Sequence, residues 1–98
     1  MRLAITKSGF YNADDYCADA RSAKRLLREK AYSILAIDYD LVGRDTGCDV
    51  IKWADLHSVL PSYVVLIERQ RHLRSQLAQC LRLAGFRSAD DTTFIKQL

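Results

Sequence analysis

Two short apolar runs limit the folds open to this chain more than any other feature of its sequence. Residues 33–38 and 63–67 are almost continuously apolar, and the first run ends in a carboxylate. A strand with one solvated face alternates apolar and polar residues, whereas a strand covered on both faces is apolar throughout. The two runs therefore predict the central strands of a parallel sheet.

Helical and weaker strand patterns fill the rest of the chain. Three segments place apolar side chains three and four positions apart, as amphipathic helices do: residues 19–30, 48–59 and 71–84. Three shorter segments are predicted as further strands: residues 3–5, 16–18 and 92–95. Strands that alternate with helices indicate right-handed crossovers. We therefore predict an α/β fold with a central parallel sheet of about five strands and helices on both faces.

The ends of the predicted helices carry residues that commonly cap helices. Asp19 or Ser22 is placed to cap the first helix, and Asp45 or Thr46 to cap the second, because their side-chain oxygens accept free backbone N–H groups. Gly85 follows the third helix at the position where a left-handed residue ends many helices. These residues predict the helix boundaries.

Length, charge and cysteine content narrow the class of protein. The 98 residues correspond to a single domain over 1–98, and a net charge of +3 is too small to indicate nucleic-acid binding by itself. The three cysteines lack the C-x-x-C spacing of a zinc or redox site, so reduced, buried thiols are expected. No segment is long and apolar enough to cross a bilayer. We expect a cytoplasmic protein with no membrane partner.

Polar residues follow several of the predicted strands. In parallel sheets, functional groups collect beyond the carboxyl ends of the strands. One pocket is therefore expected to hold five of these residues: Lys7, Asp38, Asp40, Glu68 and Lys96. Asp38 and Asp40 are the candidates for catalysis or metal binding, because alternate residues of a strand face the same side.

The same pocket has a second interpretation, which we favour. Asp38 would be held neutral or paired with Lys7 or Lys96, since buried carboxylates without partners are costly. The two lysines would then balance the charges of Asp38 and Asp40. On that interpretation the pocket is a structural brace, and Lys7→Ala would lose about 1–3 kcal/mol by leaving a partly buried carboxylate unpaired.

Part of the chain resembles a known fold family. Residues 34–38 followed by 47–51 are similar to the third strand and next helix of response-regulator receivers, whose aspartate at this strand end accepts a phosphoryl group and matches Asp38. Asp-Tyr-Asp-Leu at 38–41, Thr-Gly-Cys-Asp-Val at 46–50 and Trp53 more closely resemble the cyclic-phosphate-processing receiver domains. The resemblance implies a three-layer, flavodoxin-like fold. It also implies that Lys96 corresponds to the lysine that contacts the phosphoryl group.

The chain departs from this family where the family binds a divalent metal. Thr-Lys-Ser at 6–8 stands where the family carries paired acids, and Ile-Glu-Arg-Gln at 67–70 stands where it carries a histidine-serine motif. Mg²⁺ prefers carboxylate ligands, and a lysine repels the ion. We therefore expect a degenerate receiver-like module without a cofactor, which works by binding another protein.

Two other functions stay open at this point. One is a Mg²⁺-dependent enzyme that processes cyclic phosphates of nucleotides or RNA ends, with Asp38 and Asp40 as its remaining centre. The weaker one is a small mobile-element inhibitor of a nucleic-acid machine.

A basic cluster near the third predicted helix is the candidate interaction face, formed by Arg69, Arg71, His72 and Arg74. It could meet phosphate or an acidic protein surface. A solvated helix face is the simpler interpretation, because no aromatic residue is interleaved with these cations.

Overall fold

The computed structural model describes residues 1–8 and 11–97, and this part of the chain contains six strands and three helices. The elements follow one another as β1 (Arg2–Ile5), β2 (Asp15–Cys17), α1 (Ala20–Glu29), β3 (Ile34–Ile37), α2 (Gly47–Leu56), β4 (Tyr63–Leu66), α3 (Arg71–Leu83), β5 (Phe86–Ser88) and β6 (Thr93–Lys96). The strands form one sheet in the order β2-β1-β3-β4-β6-β5. The predicted α/β class is confirmed. The sheet has six strands rather than about five.

The two apolar runs occupy the centre of the sheet, as predicted. β3 and β4 are neighbours and run parallel, with Leu35 opposite Val64 and Ile37 opposite Leu66. All four of these side chains are buried. β1 pairs in parallel with both β2 and β3, so four consecutive strands of the sheet are parallel. Burial explains the apolar residues on this face of the two strands, whereas Tyr63 on the other face is 39% exposed.

The other end of the sheet is antiparallel, which corrects the prediction of a purely parallel sheet. β5 was not predicted, since it has only three residues and two of them are exposed. It forms a hairpin with β6, and β6 pairs antiparallel with β4. Because of this hairpin, β6 runs antiparallel to β4. The end of β6 therefore lies beside the start of β4, where the Lys96 backbone N–H donates to the Ser62 carbonyl over 2.9 Å.

All three helices lie on one face of the sheet, whereas helices on both faces were expected. α1 packs against α2 and α2 against α3. Their buried side chains join those of one sheet face in a single core, which includes Leu3, Ile37 and Phe94. From β2 to β3 to β4 the chain moves in one direction across the sheet, so right-handed crossovers carry α1 and α2 to the same side. On the opposite face, Tyr16 hydrogen-bonds Tyr11 and Ala13 of the segment before β2.

The helix ends follow the predicted caps. The Asp19 side chain accepts from the Ser22 backbone N–H over 3.0 Å and begins α1. Thr46 and Asp49 form a capping box at the start of α2. Gly85 follows α3 with a φ of +89°, a conformation that glycine adopts without strain. No helix in the described part of the chain is long and apolar enough to span a membrane.

Candidate functional site

A shallow pocket lies beyond the carboxyl ends of β1, β3 and β4. Four of the five residues predicted for it meet there: Lys7, Asp38, Asp40 and Glu68. Ser8, Ile67, Arg69 and Gln70 complete its lining. The pocket lies where the topology of three neighbouring parallel strands places it. Its four predicted residues make different contacts, which decide what it can do.

Asp38 is held by the residue that follows β1. The Asp38 backbone N–H donates to the Ile5 carbonyl over 3.0 Å. This bond continues the hydrogen-bond ladder between β1 and β3 past the end of both strands. The Thr6 hydroxyl donates to the Asp38 carboxylate. Thr6 is itself buried, and its oxygen accepts the Ser8 backbone N–H over 3.1 Å. Thr6, which directly follows β1, is thus the hydrogen-bond partner of Asp38.

The surroundings of Asp38 favour its neutral form. Burial is the main cause that raises the pKa of this carboxyl above its ordinary value of 3.8. The nearby carboxylates of Glu68 and Asp40 raise the pKa further. The Thr6 hydroxyl and the Arg69 guanidinium act in the opposite direction, but the raising causes prevail.

We expect Asp38→Asn to raise the melting temperature of the domain at pH 7. A carboxyl whose pKa is raised in the folded state binds its proton more tightly there than in the unfolded state. The free energy of unfolding therefore falls as pH rises from about 4 through the folded-state pKa. Asparagine has no carboxyl group to ionise, so this loss of stability does not occur. Its side-chain oxygen still accepts the hydrogen bond from the Thr6 hydroxyl. Melting curves from pH 3 to pH 8 should show a gain at neutral pH that disappears below about pH 4. Asp91→Asn, at an exposed position, is the control and should show no such gain. A gain that persists at pH 3 would contradict this cause.

Asp40 forms an ion pair at the surface. Lys7 Nζ lies 2.8 Å from Asp40 Oδ2, and the two side chains are 46% and 69% exposed. Exposed pairs of this kind contribute about 0–1 kcal/mol, since water screens them and ordering two long side chains costs entropy. The expectation that Lys7 braces a buried carboxylate, and that Lys7→Ala costs more than this, is therefore wrong.

Glu68 clamps the backbone and does not face the pocket as a free acid. Its side chain is largely buried, and Oε1 accepts the Tyr39 backbone N–H over 3.1 Å. Oε2 accepts the Gln70 backbone N–H, also over 3.1 Å. The Glu68 carbonyl accepts from Arg74 Nη1 over 3.4 Å. One side chain thus ties the segment after β3 to the segment that enters α3, a role that the sequence did not reveal.

Lys96 does not belong to this pocket, contrary to the prediction. Its Nζ donates to the Ala84 carbonyl over 2.7 Å and lies 3.7 Å from Asp55 Oδ1. It also lies 5.3 Å from the centre of the Phe86 ring. The antiparallel direction of β6 is the cause, because it turns the end of this strand away from the carboxyl ends of β1, β3 and β4.

The residues of the pocket do not fit a metal centre. Within residues 1–8 and 11–97, no group of three or more histidine, cysteine, aspartate or glutamate side chains is arranged to hold a metal ion. Both oxygens of Glu68 accept backbone N–H groups, and the Lys7 ammonium lies against Asp40. A hard divalent cation would have to displace these partners.

The predicted basic cluster is divided between two surfaces. Arg69 lines the strand-end pocket. Arg71 and Arg74 line a separate groove between α3 and the β5–β6 hairpin, where Arg82 joins them. His72 is exposed and lines neither. Arg69 and Arg71 with Arg74 thus line different depressions, and the interaction face stays a prediction.

The cysteines are free thiols, as predicted. Cys48 and Cys80 are buried where α2 meets α3, with their sulfur atoms 2.7 Å apart. The Cys48 thiol lies 3.3 Å from the Gln76 carbonyl. Burial raises the pKa of Cys48 to about 12, so this thiol stays protonated and unreactive at neutral pH.

The chain was compared with models of protein families, with curated protein sequences and with solved structures. The resemblance to receiver domains stays a prediction that rests on the residues quoted above. None of the three comparisons gave a match.

Proposed function

We propose that this domain is a non-catalytic, receiver-like module that acts by binding another protein. The observation that carries the proposal is that the chain itself engages each carboxylate of the strand-end pocket. Thr6 donates to Asp38, Lys7 pairs with Asp40, and two backbone N–H groups bind Glu68. Phosphoryl transfer and metal-assisted hydrolysis need carboxylates that are free to hold a cation.

The sheet face opposite the helices supports a binding role. One row of paired residues crosses five strands on this face: Arg2, Ile34, Tyr63, Ile95 and Arg87. Tyr63 is 39% exposed, Ile34 and Ile95 are half-buried, and both arginines are exposed. At the usual spacing of strands the row spans about 19 Å. An apolar centre with a charged rim is the composition of a protein interface.

The charges of this row indicate the kind of partner. Arg2 and Arg87 stand at its two ends, so a complementary surface has an apolar centre and acidic residues on either side. A second copy of this chain would bring cationic rims together. The row therefore favours a different, acidic protein over self-association.

The decisive experiment separates a binding module from an enzyme. Mg²⁺ and Mn²⁺ are titrated into wild type and Asp38→Ala by calorimetry, and 2′,3′-cyclic nucleotides and a cyclic-phosphate-ended RNA are assayed with wild type and Asp38→Asn. We expect no metal binding that depends on Asp38 and no turnover. Metal-dependent turnover that is lost in Asp38→Asn would reject the proposal in favour of a cyclic-phosphate enzyme.

A selection experiment examines the binding surface itself. A displayed peptide library is panned against wild type and counter-selected on Tyr63→Lys, which is exposed enough to be replaced without unfolding the domain. We expect the selected peptides to combine an apolar centre with flanking Asp or Glu. Peptides that bind Tyr63→Lys as tightly as wild type would exclude this face as the docking surface.

A further inference from the structure

We propose that α1 binds the phosphate backbone of a nucleic-acid duplex without reading its bases. The proposal concerns a surface on the other side of the sheet from the row described above, and it does not depend on the protein-binding function. α1 contains four cations, Arg21, Lys24, Arg25 and Arg28, and a single anion, Glu29, at its last position. Four positive charges and one negative charge give this helix a net charge of +3, which equals that of the whole chain.

The four cations of α1 are close enough to repel one another. Arg21 and Arg25 are four residues apart, as are Lys24 and Arg28, so each pair lies on adjacent turns. Like charges at this spacing destabilise a helix. From Arg21 to Arg28 the helix rises about 10 Å, a distance that covers about three phosphate-to-phosphate steps, and hence about four phosphates, of one strand of a duplex. A row of phosphates bound along the helix would reduce the repulsion between these four cations, which the helix tolerates in the free protein.

Four aspartates near α1 and α2 in the sequence are engaged elsewhere. Asp15 contacts Lys30 and Tyr32, Asp19 caps α1, Asp49 caps α2, and Asp55 lies near Lys96. The ion pairs found within residues 1–8 and 11–97 are Lys7–Asp40, Lys30–Asp15 and Lys96–Asp55. None of them includes a cation of α1. Arg21, Arg25 and Arg28 are exposed, and Glu29, the acid of this helix, lines the same surface.

Trp53 of α2 orients two of the four cations. Lys24 Nζ lies 5.6 Å and Arg28 Cζ 5.2 Å from the centre of its ring, and the His57 ring stacks on it at 4.4 Å. Cation–π contacts of this kind fix long side chains that would otherwise lose entropy on binding. Lys24 and Arg28 are therefore held beside Trp53, at the α2 side of the α1 surface, before any ligand arrives.

The same contacts select the ligand. Single-stranded nucleic acid is bound by stacking bases on free aromatic rings, and the Trp53 ring is already occupied by His57, Lys24 and Arg28. Protein interfaces need exposed apolar anchors, and the exposed residues of α1 are all charged. The phosphates of a duplex can be bound by charge alone, without base stacking and without apolar anchors.

Fluorescence anisotropy with a short, mixed-sequence DNA duplex provides the test. Four phosphate contacts give a slope of about −3.6 for log K against log salt concentration, so affinity should fall about a hundredfold between 50 and 200 mM KCl. The double variant Arg21→Gln/Arg25→Gln should halve the slope to about −1.8 and bind at least about tenfold more weakly at 50 mM KCl. Its melting temperature should be unchanged or higher, because two repelling charges are gone.

Controls decide between this surface and net charge alone. Arg87→Gln removes one positive charge from the opposite face of the sheet, as Arg25→Gln does from α1, and should leave the slope unchanged. Arg25→Gln alone should reduce the slope by about 0.9, which keeps the test valid if the double variant unfolds. Equal losses with Arg87→Gln, or no binding at 50 mM KCl, would overturn the proposal. A single-stranded DNA of the same length that binds more tightly than the duplex would also overturn it. Displacement of the duplex by polyglutamate at equal charge concentration would also overturn the proposal, because α1 would then be a site for acidic proteins.

Discussion

Gly47→Ala is expected to destabilise the domain by about 3 kcal/mol or more, at the top of the range for overpacked positions. A Cβ at Gly47 would lie 2.2 Å from the Asp38 carbonyl oxygen and 2.9 Å from Leu77 Cδ2. The first contact is with backbone that belongs to the end of the central strand β3. It cannot yield by a side-chain rotation. The Gly47 N–H also donates to the Tyr39 carbonyl over 2.8 Å, which holds the two segments together.

Urea unfolding of Gly47→Ala against Gly43→Ala measures this effect with a matched control. Gly43 has a φ of +96° and open space around it, so alanine there meets backbone strain without a clash. That strain costs roughly 1–2 kcal/mol. A loss at Gly47 no larger than the loss at Gly43 would show that α2 and β3 can separate without cost. It would then argue against a close approach of the two elements.

Glu68→Ala is expected to lower the free energy of unfolding by about 2–3 kcal/mol, as removal of a charged hydrogen-bond acceptor from buried donors does. The substitution leaves the backbone N–H groups of Tyr39 and Gln70 without their carboxylate oxygens. Both groups lie in segments that border the strand-end pocket. Loosening them should also increase hydrogen exchange at these two amides.

Asp40→Ala is the control, because it removes a carboxylate of the same pocket that is exposed and forms a surface ion pair with Lys7. Its effect should stay within about 1 kcal/mol. Glu68→Gln keeps one acceptor oxygen but turns an amide NH₂ towards the second backbone N–H, so it should fall between wild type and Glu68→Ala. Equal stability of Glu68→Ala and Asp40→Ala would mean that Glu68 does not act as a clamp.

The sequence alone determined the features that depend on neighbouring residues. Continuous apolar runs identified β3 and β4 as the central pair, because strands in the middle of a parallel sheet contain few polar side chains, although helices cover only one face of this pair. The candidate caps, Asp19 or Ser22 and Asp45 or Thr46, together with Gly85, marked the helix ends, since each acts on backbone groups within a few residues. The structure selects Asp19 and Thr46. The position of Asp38 and Asp40 beyond β3 followed from these boundaries.

Features that depend on distant pairing were decided by the tertiary structure. Lys96 follows an apolar strand just as Asp38 does, but the three-residue β5 reverses that strand and removes Lys96 from the pocket. Glu68 looked like a free acid in the sequence and clamps two backbone segments in the fold. The row from Arg2 to Arg87 exists only because five strands bring residues from 2 to 95 into register. Periodicity reports which face of an element is buried. Which strands pair, and in which direction, depends on contacts between residues that are far apart in the chain.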